Sequence, residues 1–279
     1  VSHGWYLLPP TRWSARERVL RRTEVLAGRA VDLEITHEDG ALRIRGGRLS
    51  AELRAKIGRM FQLDLDLSEF HHRARQSPAH EWTAGAGFGR LLCGSTLFED
   101  VVKIITTTNT MWRQTIRMNE LLVEKYGRAT RAGTHAFPIA EDIAKVPEEE
   151  LKEQCRLGYR AKSVALLARG IADGSLDIDR ISDRSQSTDE LFKSYLTLPG
   201  IGPYGAAHLL AMDGRHDFIA VDTEFRRFVR ETYHKGRSVS DATMLRRYSK
   251  WGRWKYLAYW SELWHSVAER LPQSENEDQ

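Results

Sequence analysis

The residues best placed to do chemistry lie between Ser187 and Asp222. Here Leu198-Pro199-Gly200-Ile201-Gly202-Pro203 joins two amphipathic segments. One opens on the capping pair Ser187 and Glu190 and continues through Leu191, Tyr195 and Leu198; the other runs from Tyr204 to about Met212. Two glycines around one apolar Ile201 let the backbone turn sharply and approach a ligand closely, and Pro203 is preset for a first helical turn. N–H groups from Gly200 to Gly205 then face outward beside a helix N-terminus, which makes an anion site. A side chain on Gly202 is expected to disturb both the turn and the close approach. A Gly-x-Gly alone reads as a plain helix corner, whereas the complete run between two amphipathic helices favours a ligand. For a basic chain the fitting anion is a DNA phosphate.

Asp222 follows the apolar run Phe218-Ile219-Ala220-Val221 and precedes Glu224-Phe225-Arg226-Arg227-Phe228, where a helix is predicted to start. An aspartate at that point is a good N-cap. It is also a fixed negative charge able to stabilise a developing cation and to orient a water. Glu224 is the weaker alternative acid.

On these residues the chain resembles the helix-hairpin-helix (HhH-GPD) DNA glycosylase superfamily, whose hairpin is followed by a Gly/Pro-rich loop and a catalytic aspartate. Leu198 to Ala207 match the hairpin and Ala220-Val221-Asp222 the acid. Phe61-Gln62-Leu63-Asp64, Gly89-Arg90-Leu91-Leu92, Thr107-Thr108-Asn109, Phe137-Pro138 and Leu157-Gly158-Tyr159-Arg160-Ala161 look like segments of its 8-oxoguanine and 3-methyladenine branches, in the same order. The resemblance covers about Phe61 to Val267. It implies that Asp222 is catalytic and that Gly200, Ile201, Gly202, Tyr204 and Gly205 bind DNA.

In branches that also nick the strand, a lysine two residues after the second glycine forms a Schiff base, and here that place holds Tyr204. The resemblance therefore implies hydrolysis by water and an abasic product. Tyr204 either bounds the flipped base or is a core tyrosine between helices. Asn109 matches the asparagine that fills the gap left by the flipped nucleotide in the 8-oxoguanine branch; the other reading is an interhelical cap. Trp112 lines the base pocket or belongs to the core. Tyr259 occupies the place of that branch's base-reading glutamine, so a polar reader is lost. This departure favours stacking on an electron-poor, alkylated purine. The expected activity is that of a monofunctional DNA glycosylase of base excision repair. The alternatives are an 8-oxoguanine-type or other lesion-specific glycosylase and a non-catalytic hairpin module. Asp222 speaks against the last, because a protein that only binds gains nothing from an acid facing a polyanion.

The elements that must position these residues give an α+β chain, mainly α: a helix-hairpin-helix glycosylase fold with an N-terminal antiparallel β-sheet domain. Val31, Leu33 and Ile35 alternate before Glu38-Asp39-Gly40, and Leu42 and Ile44 after it, as a half-buried hairpin requires. A helix is predicted near Ala51 to Phe61. Beyond Thr96 the pattern is helical. Thr96 and Glu99 form a capping box for Leu97 to Ile105, and Trp112 to Tyr126 ends at Gly127. Pro147 and Glu148 to Glu150 occupy a first turn in a helix stopped by Gly158, and Arg160 to Ala172 follows. Trp251, Trp254, Tyr256, Tyr259, Trp260 and Trp264 read as one aromatic, core-like helix. The expected domains are a sheet domain over 1–85, a helical catalytic domain over 86–271 and an acidic tail over 272–279.

Composition narrows the partners. Lys and Arg outnumber Asp and Glu by 42 to 38, and three of those acids sit in the tail from Ser274 to Gln279. This modest excess fits double-stranded DNA carrying a damaged base as the partner, with the protein a monomer. Two cysteines, Cys93 and Cys155, are too few for an iron–sulfur cluster or a disulfide framework. The ten histidines show no spacing for a metal site, so no catalytic metal or cofactor is expected. Hairpin carbonyls in the family can hold a monovalent cation. No run approaches the roughly 20 apolar residues of a membrane span. Because Val1 to Leu8 also lacks a secretory pattern, a cytoplasmic location is expected, nucleoid-associated in a bacterium.

Overall fold

The structure, a computed structural model, describes residues 4–268; the predicted acidic tail lies outside the described residues. Four strands, β1 (Thr11–Ser14), β2 (Val19–Leu26), β3 (Arg29–Glu38) and β4 (Ala41–Arg45), form an antiparallel meander in that order. The predicted hairpin is β3–β4. Asp39 and Gly40 both take positive φ, +52° and +77°, between the paired Glu38 and Ala41, the two-residue turn whose twist matches that of its strands. One sheet face buries Leu20, Leu33 and Ile35 against Leu53, Ile57 and Met60 of the Ala51–Met60 helix.

Regular structure beyond Arg45 is helical among the described residues, apart from one isolated bridge between Ala129 and His135. Helices Leu97–Thr107, Trp112–Tyr126, Arg160–Ala172, Thr188–Leu196 and Pro203–Met212 share one core built on Val101, Ile104, Leu122, Val164, Leu191 and Leu209. A second core joins Phe225 and Phe228 of the Thr223–His234 helix to Trp251, Trp254, Tyr256 and Leu257, with Phe70 and Leu91 beneath.

Several local expectations need correction. The box at Ser187 and Glu190 is complete, but that at Thr96 is half made. Thr96 accepts from the Glu99 amide, while the Glu99 carboxylate accepts from Ser95 and is drawn to Arg22 and Lys103. Pro147 is the N-cap rather than the first helical residue, and its helix ends at Gln154, before the expected stop. Gly158 instead bends the chain into the next helix with φ +58°. The aromatic stretch is broken at Gly252, φ +55°, leaving a 3-10 turn Ser249–Trp254 ahead of the Lys255–Ala268 helix.

Glu99 belongs to a buried ionic cluster between sheet and helices. Arg22 of β2 donates to Glu99 at 2.6 Å and to Glu24 at 2.8 Å, and Lys103 reaches Glu99 at 2.7 Å. Burial alone would raise the Glu99 carboxyl, but the Arg22 and Lys103 charges more than reverse this and hold it well below the carboxylate range. Next to it Asp100, fully buried, accepts from Arg59 at 2.6 Å and from the Gly94 amide at 2.7 Å.

Candidate active site

The hairpin forms as predicted, with its two glycines doing different jobs. Gly200 has φ +79°, and a Cβ there would lie 2.7 Å from Cβ of Ser163, so both backbone conformation and space demand glycine. Gly202 is the N-cap of the Pro203–Met212 helix with φ −101°, and a Cβ there would meet nothing within 4 Å. The expectation that a side chain at Gly202 disturbs the turn is therefore corrected. That position is open toward solvent, and any constraint on it must come from outside the chain. The Ile201 amide donates inward to the Leu198 carbonyl at 3.1 Å, and the Ile201 side chain is buried. Outward donors are thus the amides at the helix start, Tyr204 and Gly205, since the first intrahelical bond there runs from Ala206 to Gly202. Gly205 is itself buried, and a Cβ there would lie 3.1 Å from Ile104 and 3.3 Å from Ile201.

Asp222 caps the Thr223–His234 helix, its Oδ1 accepting from the Phe225 amide at 2.7 Å. Burial raises its pKa; the amides of Phe225 and Glu224 pull down, while the Glu224 charge adds to the rise. Arg226, a cation acting on it, is committed to Asp241 through two 2.9 Å bonds. Glu224 is clamped by Arg227. Of the two acids considered from sequence, Asp222 is the one left to act on a ligand.

The charge of this carboxylate is felt by three tyrosines, Tyr204, Tyr256 and Tyr259. Tyr204, half-buried in the helix after the hairpin, has its hydroxyl beside Thr107 and is pushed up to about 12 by burial and by the Asp222 charge. Tyr259 is buried, its ring edge-on to Phe225 at 5.0 Å, and both burial and Asp222 raise its hydroxyl. His208, one turn after Tyr204, lies 5.8 Å from that ring and 6.4 Å from Tyr256. Its burial lowers its pKa to about 4, so it is neutral at physiological pH. The Tyr256 hydroxyl is buried without a hydrogen-bond partner among the described residues. Trp112 is not a core residue: it is 37% exposed at the start of its helix. The arrangement is a carboxylate in an aromatic shell, suited to hold a cationic centre between a negative charge and ring faces.

Asn109 sits at an exposed corner with φ +47°, and its Nδ2 donates to the Tyr159 hydroxyl at 3.3 Å. Arg160 fixes that corner, donating through Nε to the Thr108 carbonyl at 3.2 Å and through Nη2 to the Asn109 carbonyl at 3.3 Å. Its guanidinium also lies 4.6 Å from the centre of the Tyr159 ring. Tyr159 is 64% exposed, an unusual setting for so large a ring. Tyr159 and Arg160 carried no assigned role in the sequence, although their segment Leu157 to Ala161 belonged to the resemblance.

A cavity of about 900 Å³ between the Ala51–Met60 helix and Ile178 to Ser182 contains neither Asp222 nor the hairpin. Among the described residues no cluster of three or more His, Cys, Asp or Glu is placed to hold a metal, and no helix is long and apolar enough to cross a membrane.

A hairpin offering amides, followed by a half-buried capping acid, defines a helix-hairpin-helix class of site, and comparison with known proteins agrees. The family of HhH-GPD superfamily base excision DNA repair proteins matches residues 102–253, more than half of the chain, and the chain belongs to that family. It is 26% identical over 262 residues to a protein described as a probable N-glycosylase/DNA lyase from Methanothermobacter thermautotrophicus, covering 85% of this chain and 82% of that one. Its fold is similar to that of 3-methyladenine DNA glycosylase from Archaeoglobus fulgidus (21% identity, TM-score 0.75, 94% and 92% of the two chains). It is also similar to that of Clostridium acetobutylicum 8-oxoguanine glycosylase/lyase, solved with double-stranded DNA containing cytosine opposite 8-oxoG (18% identity, TM-score 0.73, 96% and 92%).

Proposed function

We propose that the chain is a monofunctional DNA glycosylase that flips an alkylated adenine or guanine out of the duplex and hydrolyses its N-glycosidic bond, leaving an abasic site. The observation that carries this reading is the half-buried Asp222 carboxylate, the cap of its helix, whose charge is felt by the hydroxyls of Tyr204, Tyr256 and Tyr259 while Arg226 is committed to Asp241. The fold likeness is equally good to a 3-methyladenine and an 8-oxoguanine enzyme. The substrate must therefore be argued from the site.

In this reading the Tyr204 and Gly205 amides hold one phosphate of the damaged strand, and Asn109 with Tyr159 occupies the gap left in the duplex. The extruded base lies against aromatic faces and the neutral His208. A methylated purine with a positive ring is attracted to such faces and is already a good leaving group, so no strong general acid is needed. As the bond to the base lengthens, positive charge builds on the sugar, and ionised Asp222 stabilises it and orients the attacking water. Tyr204 stands where a lysine would have to attack for strand cleavage, and a phenol held near 12 is not a substitute amine.

Purified protein incubated with methylated duplex DNA, with released bases separated by chromatography, tests the reading. Release of 3-methyladenine or 7-methylguanine, with strand breaks only after alkali, is expected. Release of 8-oxoguanine alone from a parallel lesion duplex would overturn the substrate, and no release from any lesion the glycosylase activity.

A further inference from the structure

We propose that Trp5, ahead of the sheet and far in sequence from Asp222, is a positioning residue that backs His208 beside the base pocket and so sets which damaged purine the pocket admits. This rests on the glycosylase reading above. Trp5 begins a short 3-10 turn, Trp5–Leu7, and is 4% exposed. Its indole N–H donates to Asp100 Oδ1 at 2.9 Å. Asp100 also accepts from Arg59 and the Gly94 amide, so three donors converge on one buried carboxylate and the indole is held in a single orientation. The ring so fixed lies 5.6 Å from His208. His208 in turn faces Tyr204 and Tyr256, so Trp5 extends the row of rings beside Asp222 by one member.

The preceding residue ties the same segment to a second site ring. A Cβ on Gly4 would lie 2.5 Å from the six-membered ring of Trp112, so any side chain there must displace that partly exposed indole. One short stretch therefore touches Trp112 through Gly4 and His208 through Trp5. Buried behind His208, Trp5 fixes where that imidazole stands, and a purine entering beside Tyr204 would meet His208 in the place Trp5 gives it. Loss of that support would let His208 shift, most to the cost of the base that fills the space best.

The experiment measures kcat/KM for release of 3-methyladenine and of 7-methylguanine by the wild type and by Trp5→Leu, Trp5→Phe and Gly4→Ala, alongside thermal unfolding. Trp5→Leu is expected to change the ratio of the two values at least tenfold, and Trp5→Phe, which keeps a ring, to stay within about threefold. A purely structural indole would lower both activities together and leave their ratio alone. If Trp5→Leu does not fold, Gly4→Ala, which lies outside the core, carries the test and is expected to shift the ratio by displacing Trp112. An unchanged ratio in folded Trp5→Leu, or in Gly4→Ala where Trp5→Leu does not fold, overturns the role of the Gly4–Trp5 segment. A wild-type protein that releases neither base overturns the underlying functional reading instead.

Discussion

The two hairpin glycines should separate in experiment as they do in the structure. At Gly200 an alanine must adopt φ +79° and place its methyl 2.7 Å from Ser163. The left-handed conformation costs about 1–2 kcal/mol and the overpacked contact roughly another 1–3. For a chain of this size each kcal/mol lowers Tm by about 2–4 °C, so Gly200→Ala should melt some 5–15 °C early, a rough figure. At Gly202, with φ −101° and open space around the added methyl, Tm should stay within about 2 °C. Its methyl instead stands where a phosphate would approach the helix start. Losing one charge-assisted hydrogen bond there, about 1.5–3 kcal/mol, weakens Kd roughly 10- to 100-fold. Fluorescence anisotropy on damaged and undamaged duplexes should show the same factor for both, since a phosphate contact carries little base information. A Gly202→Ala protein with wild-type Tm and wild-type Kd on both duplexes would reduce the hairpin to a helix corner and refute the reasoning.

Asp222→Asn should reduce base release by about 100-fold or more while DNA binding holds or tightens, because a charge facing the phosphates is removed; full activity in the variant would end the assignment of the acid. The same carboxyl is raised by burial, so it favours folding below the ordinary aspartate pKa of 3.8 and that contribution is lost as pH rises through the raised value. Asp222→Asn should therefore melt above the wild type at pH 7 and lose that advantage in acid, and a gap independent of pH would contradict the burial argument. Borohydride should trap no protein–DNA adduct during turnover, and efficient trapping would assign lyase chemistry to an amine other than residue 204. His208 and His216 are buried and lowered to about 4 and about 3, so their neutral forms contribute stability that is complete above about pH 6.5 and lost as pH falls toward those values. At pH 4.5 each withdraws about 3 kcal/mol. His216→Phe, which keeps the stack between Trp254 and Tyr256, should move the acid unfolding midpoint downward, and an unmoved midpoint would place the acid sensitivity elsewhere.

The hairpin, the Asp39-Gly40 turn and the Asp222 cap were legible in the sequence because glycine, proline and capping residues have positional meanings that hold locally. The strand before them was harder to read. Arg22-Thr23-Glu24 in β2 looks like solvent-facing surface, yet all three are buried, their charges answered by Glu99 and Lys56 far along the chain. Pairing across such a separation leaves no periodic trace. Gly252 was hidden for a different reason: the tryptophans on both sides keep a helical spacing through a kink that one positive φ creates. Asn109 was legible only through resemblance, and Tyr159 and Trp5 acquire meaning only when the corner and the row of rings are seen in three dimensions.

The ionic cluster joining β2 to the Leu97–Thr107 helix bears on how this architecture can be inherited. Glu99 and Asp100 lie in the Leu97–Thr107 helix, whereas their partners Arg22 and Arg59 come from β2 and the Ala51–Met60 helix. A recombination event anywhere between Arg59 and Glu99 would part them, leaving charges stranded in a dry interior at a cost of several kcal/mol each. Arg22, Arg59, Glu99 and Asp100 must therefore change together or not at all, and a chimera joining this sheet to a foreign helical body should fold only if the body brings matching acids.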